Sequence, residues 1–331
     1  MSHIDKIVNT SFSKIPIGIS SCLLGEKVRF DGGHKNSAYI TKTLSDYFDF
    51  HPFCPEVSIG LGIPRETIRL VTLEPDGPIH CVGTKNTELD VTQKLKACAN
   101  QQFHWLENLS GYIFKKDSPS CGMERVKVYY KTNPQRNGIG IYANEILKQF
   151  PYLPTEEEGR LGDAKLRENF ILRVFIYHRW RALVSKTARG EEVHFKDYID
   201  FHAQHKLIYM AHNQEKTAEL GQLTANISNT PLPEYQEKYL AALTQILAKP
   251  ATPKSHVNVL KHIQGYLKRE LCSDDKTELS ETIEQYRQGY LPLIVPITLL
   301  RHHFRKCPTP YIDQSYYMQP HPMELMLRNN L

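Results

Sequence analysis

No apolar run in this sequence approaches the ~20 residues that a membrane-spanning helix requires. The N-terminus, "MSHIDKIVNT", carries an early Asp and lacks the extended apolar stretch of a secretory signal. A cytoplasmic protein is therefore expected. No Cys-x-x-Cys pair occurs among the seven cysteines, and an odd, scattered set in a reducing compartment is not a disulfide framework. There is no internal repeat and no low-complexity segment, which sets repeat architectures aside. Nor is there a basic tail. Residues 1–155 hold 18 Lys and Arg against 15 Asp and Glu, and residues 156–331 hold 23 against 21, for a net charge of +5. That balance allows nucleic-acid binding only through charge gathered on one face. "GLGIP" (60–64) has two glycines but is not a dinucleotide fingerprint.

What is present suffices for two domains of ordinary size. The chain has 331 residues, 40% hydrophobic and 23% charged, the composition of a globular protein with a sizeable core. In the first half, "IPIGIS" (15–20), "YFDFHPF" (47–53), "RLVTL" (69–73), "GYIFK" (111–115) and "VKVYY" (126–130) are predicted strands. "NSAYITKTLSDYF", "LDVTQKLKACANQQFHWLENL" and "GIYANEILKQF" have the spacing of helices. Such alternation predicts an α/β domain with a mainly parallel, Rossmann-like sheet over residues 1–155. From about residue 160 five long helix-periodic segments follow, separated by breakers such as "NTPLP" (229–233) and "KPATPKS" (249–255). They predict an all-α domain over residues 156–331, joined through "PYLPTEEEGRLGD" (151–163).

Three cysteines stand in equivalent places. Cys22 follows the first predicted strand, Cys54 the second and Cys121 the fourth. In an open parallel sheet the carboxyl ends of the strands form the edge where sites are assembled. Each cysteine's loop carries Gly or Pro, which lets backbone approach a ligand closely. Ser118 and Ser120 flank Cys121, and Glu56 follows Cys54 by two residues. Three readings of the trio are open: a zinc site, a [4Fe–4S] cluster with one iron free, or independent buried thiols. Cys81 in a predicted strand, Cys98 in a predicted helix, and Cys272 and Cys307 lack the loop context, and for them the structural reading is preferred.

Other residues have two readings each. "RFDGGHK" sets Arg29, Asp31, His34 and Lys35 around two glycines, either as a substrate- or phosphate-holding loop or as a tight turn with solvated charges. Arg65 in "GIPRE" either pins a phosphate or pairs with Glu66. The helical half holds 10 of the 15 histidines. His202 and His205 share a helix face with His212 further along, but no carboxylate completes a zincin spacing, so satisfied core or surface histidines are expected. "KSHVNVLKHIQGYLKRE" and "LLRHHFRK" are basic helices suited either to RNA phosphates or to water.

The motifs "SSCLLGEKVRFDGGHK", "FCPEVSIGLGIPRE" and "KKDSPSCG", in this order, resemble the thiouracil desulfidase family over about residues 14–150. The second half, with "EEGRLGDAKLRENFILRVFIYHRW" and "FHAQHKLIYMAH", is similar to the YbgA-like helical domain often fused to it. The resemblance implies a [4Fe–4S] cluster on Cys22, Cys54 and Cys121, with Glu56 as the catalytic carboxylate and the motif serine on Ser118 or Ser120. It also implies desulfuration of thiolated uracil, with thiolated tRNA bearing 4-thiouridine as the first partner. Free thiouracil or a thio-nucleotide is the second substrate class to weigh. A non-catalytic, metal-stabilised RNA-binding or redox-sensing protein is the alternative of another kind.

Overall fold

The computed structural model describes residues 13–75, 77–131 and 133–329. Two compact units divide the chain, one ending at Asp163 and the other beginning at Ala164. None of the described helices is long and apolar enough to cross a membrane.

The first unit is built on two sheets. One contains β1 (Ile15–Ser20), β2 (Phe48–Phe53), β5 (Tyr112–Phe114) and β8 (Thr155–Glu157) in the order β2-β1-β5-β8, every pairing parallel. β1 is central and buried along nearly its whole length, as a strand covered on both faces must be. Gly18 serves that packing, because a Cβ there would overlap the ring of Tyr112 on the adjacent strand. The other sheet contains β3 (Ile68–Thr72), β4 (Ile79–Gly83), β6 (Val126–Tyr130) and β7 (Asn133–Gly138) in the order β4-β3-β6-β7. Only its β3–β6 pairing is parallel; β3–β4 and β6–β7 are antiparallel. One face of this sheet buries Leu70, Cys81, Val126 and Val128 against Val91, Leu95 and Ile141. Val91 and Leu95 lie at and just inside the start of α3 (Thr92–Leu106), and Ile141 opens α4 (Ile141–Gln149). Two short helices, α1 (Ala38–Lys42) and α2 (Pro55–Ser58), sit in the β1–β2 connection and directly after β2.

The five predicted runs and the strand expected around Cys81 are all present; three of them form the expected parallel sheet with β8, and the other three lie in the second sheet. The second, mixed sheet is an addition to that expectation. β7 reads "NPQRNG", a polar sequence on an exposed sheet edge, and offers no alternation to detect. β8 reads "TEE" yet is buried at every residue, and it lies inside the segment expected to be a linker. The boundary expected after residue 155 therefore falls within a strand, and the first unit extends to Asp163. The reason is that β8 completes the parallel sheet, so its backbone hydrogen bonds hold the segment to the domain before it.

The second unit is helical: α5 (Ala164–Ala188), α6 (Phe195–His212), α7 (Gln214–Ala225), α8 (Leu232–Leu247), α9 (Pro253–Tyr266), α10 (Ser273–Arg287), α11 (Ile294–Lys306) and the short α12 (Pro310–Asp313). Two of the long predicted helices are broken. Asn213 takes an extended conformation and its side chain accepts from the Lys216 amide at 3.0 Å, ending α6 and capping α7. Gly289, at a φ of 81°, follows the end of α10. An aromatic core holds the unit, with Trp180 stacked on Tyr239 at 4.7 Å and edge-on to Tyr198 and Phe201.

His202, His205 and His321 are buried in this unit. Each pairs one ring nitrogen with a protein group: His202 Nδ1 with the Tyr239 hydroxyl, His205 Nδ1 with the Phe201 carbonyl, His321 Nδ1 with the Pro322 carbonyl. Burial holds all three below the ordinary histidine range, His202 at about 4 and His321 at about 3. They are neutral in the fold and protonate on unfolding. Stability is therefore complete above the unfolded value near 6.5 and is lost as pH falls from there toward 4. Each ring is expected to contribute up to ~1.4 kcal/mol of loss per pH unit across that window. Urea unfolding of the protein at a series of pH values measures the slope, and replacing His202 by Asn should make it shallower.

Candidate active site

The order β2-β1-β5 places three carboxyl strand ends side by side, and the three cysteines issue from them. Cys22 lies in a single 3₁₀ turn (Ser21–Leu24) directly after β1, where its carbonyl accepts from the Lys35 amide at 2.8 Å. Cys54 caps the N-terminus of α2, whose backbone amides at Glu56 and Val57 face its sulfur. Cys121 closes the turn that follows β5; its amide donates to Ser118 Oγ at 3.1 Å. Gly140, at the start of α4, seats that turn, since a Cβ there would stand 2.6 Å from the Ser120 carbonyl. All three cysteines line one cavity of about 380 Å³, within the usual range for a small-molecule site.

Glu56 projects into the same cavity and is held from two sides. Arg65 grips Oε2 through Nε at 2.9 Å and Nη2 at 2.8 Å, while Ser120 Oγ donates to Oε1 at 2.6 Å. Arg65 is itself fixed by donating to the carbonyls of Val28 at 2.9 Å and Gly62 at 3.1 Å. Ser120 spends its only proton on Glu56, so Ser118, 2.9 Å away, is the donor in the Ser118–Ser120 hydrogen bond. The result is a chain from Ser118 through Ser120 and Glu56 to Arg65. Ser120 is fully buried at its centre, and Ser118 is the more open of the two hydroxyls.

The thiols are in a strained electrostatic setting. Burial pushes Cys22 up to about 11, with the Lys115 cation opposing and Cys54 adding to the rise. Burial also raises Cys54 and Cys121, and Cys121 feels Cys54 and Glu56 as well. Cys54 is thus the common neighbour of the other two. Unliganded, the trio stays protonated; a bound cationic group would hold it as thiolates. Among the described residues no group of three or more His, Cys, Asp or Glu side chains is arranged to hold a metal ion. The three cysteines line the walls of the same cavity. Such a soft donor set suits a group of several atoms better than a lone ion.

Of the remaining sequence-predicted residues, Arg29, Lys35 and Arg65 line the cavity. Asp31 and His34 are not on its wall. Asp31 accepts from the Gly33 amide at 3.0 Å and lies 3.5 Å from Arg29, and His34 Nδ1 takes the Asn36 amide at 3.2 Å, both contacts of a tight turn. His202, His205 and His212 each bond a different group, His212 to the Lys249 carbonyl at 2.8 Å.

Sequence reasoning missed Lys115 and the acidic run of β8. Register explains their role: Phe114 pairs with Glu157, so the next residues, Lys115 and Glu158, emerge together and form an ion pair at the cavity wall. Glu158 also accepts from the Lys116 amide at 2.6 Å, and buried Glu157 accepts from the Met123 amide at 2.8 Å. These contacts clamp both ends of the loop that carries Ser118, Ser120 and Cys121. The only signal available was charge complementarity between "KKD" and "EEEG", which means nothing until the register is known.

A family profile described as 2-thiouracil desulfurase matches residues 17–158, the stretch that contains every residue of this cavity. A second, described as a protein of unknown function (DUF1722), matches residues 206–322. The uncharacterized protein YbbK of Bacillus subtilis is 30% identical over 139 residues, 40% of this chain and 90% of that protein. The chain belongs to the 2-thiouracil desulfurase family. It is accordingly an enzyme of the desulfidase type, with a DUF1722 region behind the desulfurase region. That second region is similar to the uncharacterized protein YbgA of Escherichia coli, at 28% identity over 165 residues, 49% of this chain and 94% of that protein. A solved structure of the [4Fe–4S]-dependent thiouracil desulfidase TudS is 26% identical, covering 45% of this chain and 94% of its own at a TM-score of 0.36.

Arg65 is the keystone of the desulfurase cavity. Its side chain is 5% exposed and that of Glu56 14%, so removing the guanidinium leaves a largely buried carboxylate uncompensated. Arg65→Leu is expected to cost about 3–5 kcal/mol, measured as a lower urea midpoint of the protein at neutral pH.

Proposed function

We propose that this desulfurase converts thiolated uracil to its oxygen form on a [4Fe–4S] cluster held by Cys22, Cys54 and Cys121, and that its substrate is 4-thiouridine within tRNA. The observation that carries the reading is the meeting of three thiols and Glu56 in one cavity at the carboxyl edge of a parallel sheet. Three cysteine ligands leave one iron of such a cluster open, and when bound it supplies a soft Lewis acid for the substrate's sulfur.

The rest belongs to the chain. Thiocarbonyl and water give carbonyl, hydrosulfide and a proton, so no electrons are exchanged and no nicotinamide or flavin is needed. Glu56, fixed by Arg65, takes the proton of the attacking water and returns one to the departing sulfur. Ser120 holds Glu56 in place with its proton, and Ser118, the more open hydroxyl, turns its proton from Ser120 to the ring to answer the charge that develops there. Phe30 and Phe53 give the cavity flat apolar surfaces suited to a pyrimidine. Lys115, Arg29 and Lys35 keep the wall cationic, which favours thiolates and an anionic ring. In this reading the first unit does the chemistry and the helical unit contacts tRNA, in the cytoplasm where tRNA is found. The resemblance to fused desulfidases supports that division. The family's own description, which names thiouracil, favours the free base as the second reading.

Anaerobic reconstitution followed by incubation with tRNA rich in 4-thiouridine, and separately with free 4-thiouracil, discriminates the two. The expected result is loss of 4-thiouridine by nucleoside chromatography with hydrosulfide released in equal amount. Cys121→Ala should abolish it along with bound iron and sulfide, and Glu56→Gln should retain the cluster while lowering kcat by about 10²–10⁴. Untouched tRNA beside desulfurised free base would move the assignment to the small substrate.

A further inference from the structure

The face of the second sheet that does not enter the core is cationic and adjoins the active-site cavity. Along β3 and β6, Leu70, Val126 and Val128 point inward, so Arg69, Lys127 and Tyr129 alternate to the other side, and Arg136 of β7 pairs in register with Lys127. These side chains line a groove of about 270 Å³. Ile68, Asp117 and Pro119 belong to the walls of both the groove and the cavity that holds Cys22, Cys54 and Cys121. The two depressions therefore share part of their walls.

The charge on this groove is not consumed internally. Arg136 pairs with Asp117 at 3.0 Å, and Asp117 is the single carboxylate on the wall among the described residues. Lys127 is exposed, and Arg69 Nε is shielded from solvent with no hydrogen-bond partner among the described residues. The Arg69 guanidinium lies 5.3 Å over the Tyr129 ring, which fixes its direction without neutralising it. Three cations against one carboxylate, beside a cavity that admits a small molecule, is the arrangement needed where a base enters the cavity and its backbone stays outside.

We propose that this groove holds the phosphodiester backbone flanking the reacting nucleotide, with Arg69 and Lys127 as phosphate contacts, so that the desulfurase unit itself recognises a polynucleotide. The inference rests on the desulfidation reading only for the identity of the base in the cavity. It makes the strand a ligand of the catalytic unit in addition to any contact from the helices. Backbone contacts of this kind set affinity and register without reading sequence.

The test is fluorescence anisotropy of the full-length protein with a short fluorescein-labelled single-stranded RNA carrying one central 4-thiouridine, across a salt series. Arg69→Gln with Lys127→Gln should weaken binding about tenfold at low salt. The slope of log Kd against log salt should become shallower by about 1.4, at ~0.7 for each phosphate of a single strand that is no longer neutralised. Lys127→Gln alone, at an exposed position, should give half of that slope change, and turnover of free 4-thiouracil should stay at the parental rate in both variants. Unchanged affinity and slope in the double variant overturn the proposal, even where the free base is desulfurised normally. The converse separates the two readings. If RNA binding depends on these residues but the holoenzyme leaves both 4-thiouridine and 4-thiouracil intact, the phosphate groove stands and the desulfidation reading falls.

Discussion

The parallel register of β2-β1-β5-β8 is the constraint on which the site depends. Parallel neighbours cannot be joined by tight turns, so each connection must travel back before the next strand begins. All carboxyl ends then open on the same side. Cys22, Cys54 and Cys121 lie tens of residues apart in sequence, and only this alignment brings them to one cavity. The same register sets Lys115 beside Glu158 and so anchors the loop that bears the two serines. A slip of β5 by one residue would turn its side chains to the opposite face and dismantle the clamp.

Around that frame the fold tolerates groups that a core ordinarily rejects. A largely buried carboxylate is retained because a guanidinium and a hydroxyl take both of its oxygens, and the guanidinium is anchored by two backbone carbonyls. Three thiols remain with no comparable compensation. Burial raises all of them, and Cys54 raises Cys22 and Cys121 further. Three thiols gathered in one cavity beside that paired carboxylate are a local inconsistency of the kind that concentrates at functional sites.

Much of this was legible in the sequence. The five β-rich runs are strands, and the cysteines' placement just beyond three of them was visible before the sheet order was known. Glu56 was conspicuous because it follows a Cys-Pro pair, and Arg65 as a cation in the same Gly/Pro-bearing motif, although its partner is Glu56 and not the adjacent Glu66. Other parts were hidden for physical reasons. β8 is buried yet written "TEE", because Glu156 receives the Arg160 guanidinium and Glu157 the backbone amides of Met123 and Glu124, more than thirty residues earlier. No local pattern encodes such a contact. Asp31 and His34 looked like site residues for the opposite reason: Asp and His beside glycines also make turns, and here their hydrogen bonds are spent on Gly33 and Asn36. The long helical segments broke where one residue, Asn213, left the helical conformation, a change that periodicity cannot register.

The chemistry of the cavity is blind to what lies beyond the ring. A thiocarbonyl loses its sulfur by the same exchange whether the base is free or embedded in a nucleic acid, so the cavity wall does not by itself distinguish the two. Preference for a polymer must therefore come from surfaces that touch sugar and phosphate. With a net charge of only +5, such a surface cannot be diffuse. It has to be a place where cations outnumber carboxylates and stand within reach of the cavity mouth. The open face of the second sheet meets both conditions through Arg69 of β3 and Lys127 of β6, with Arg136 of β7 beside them.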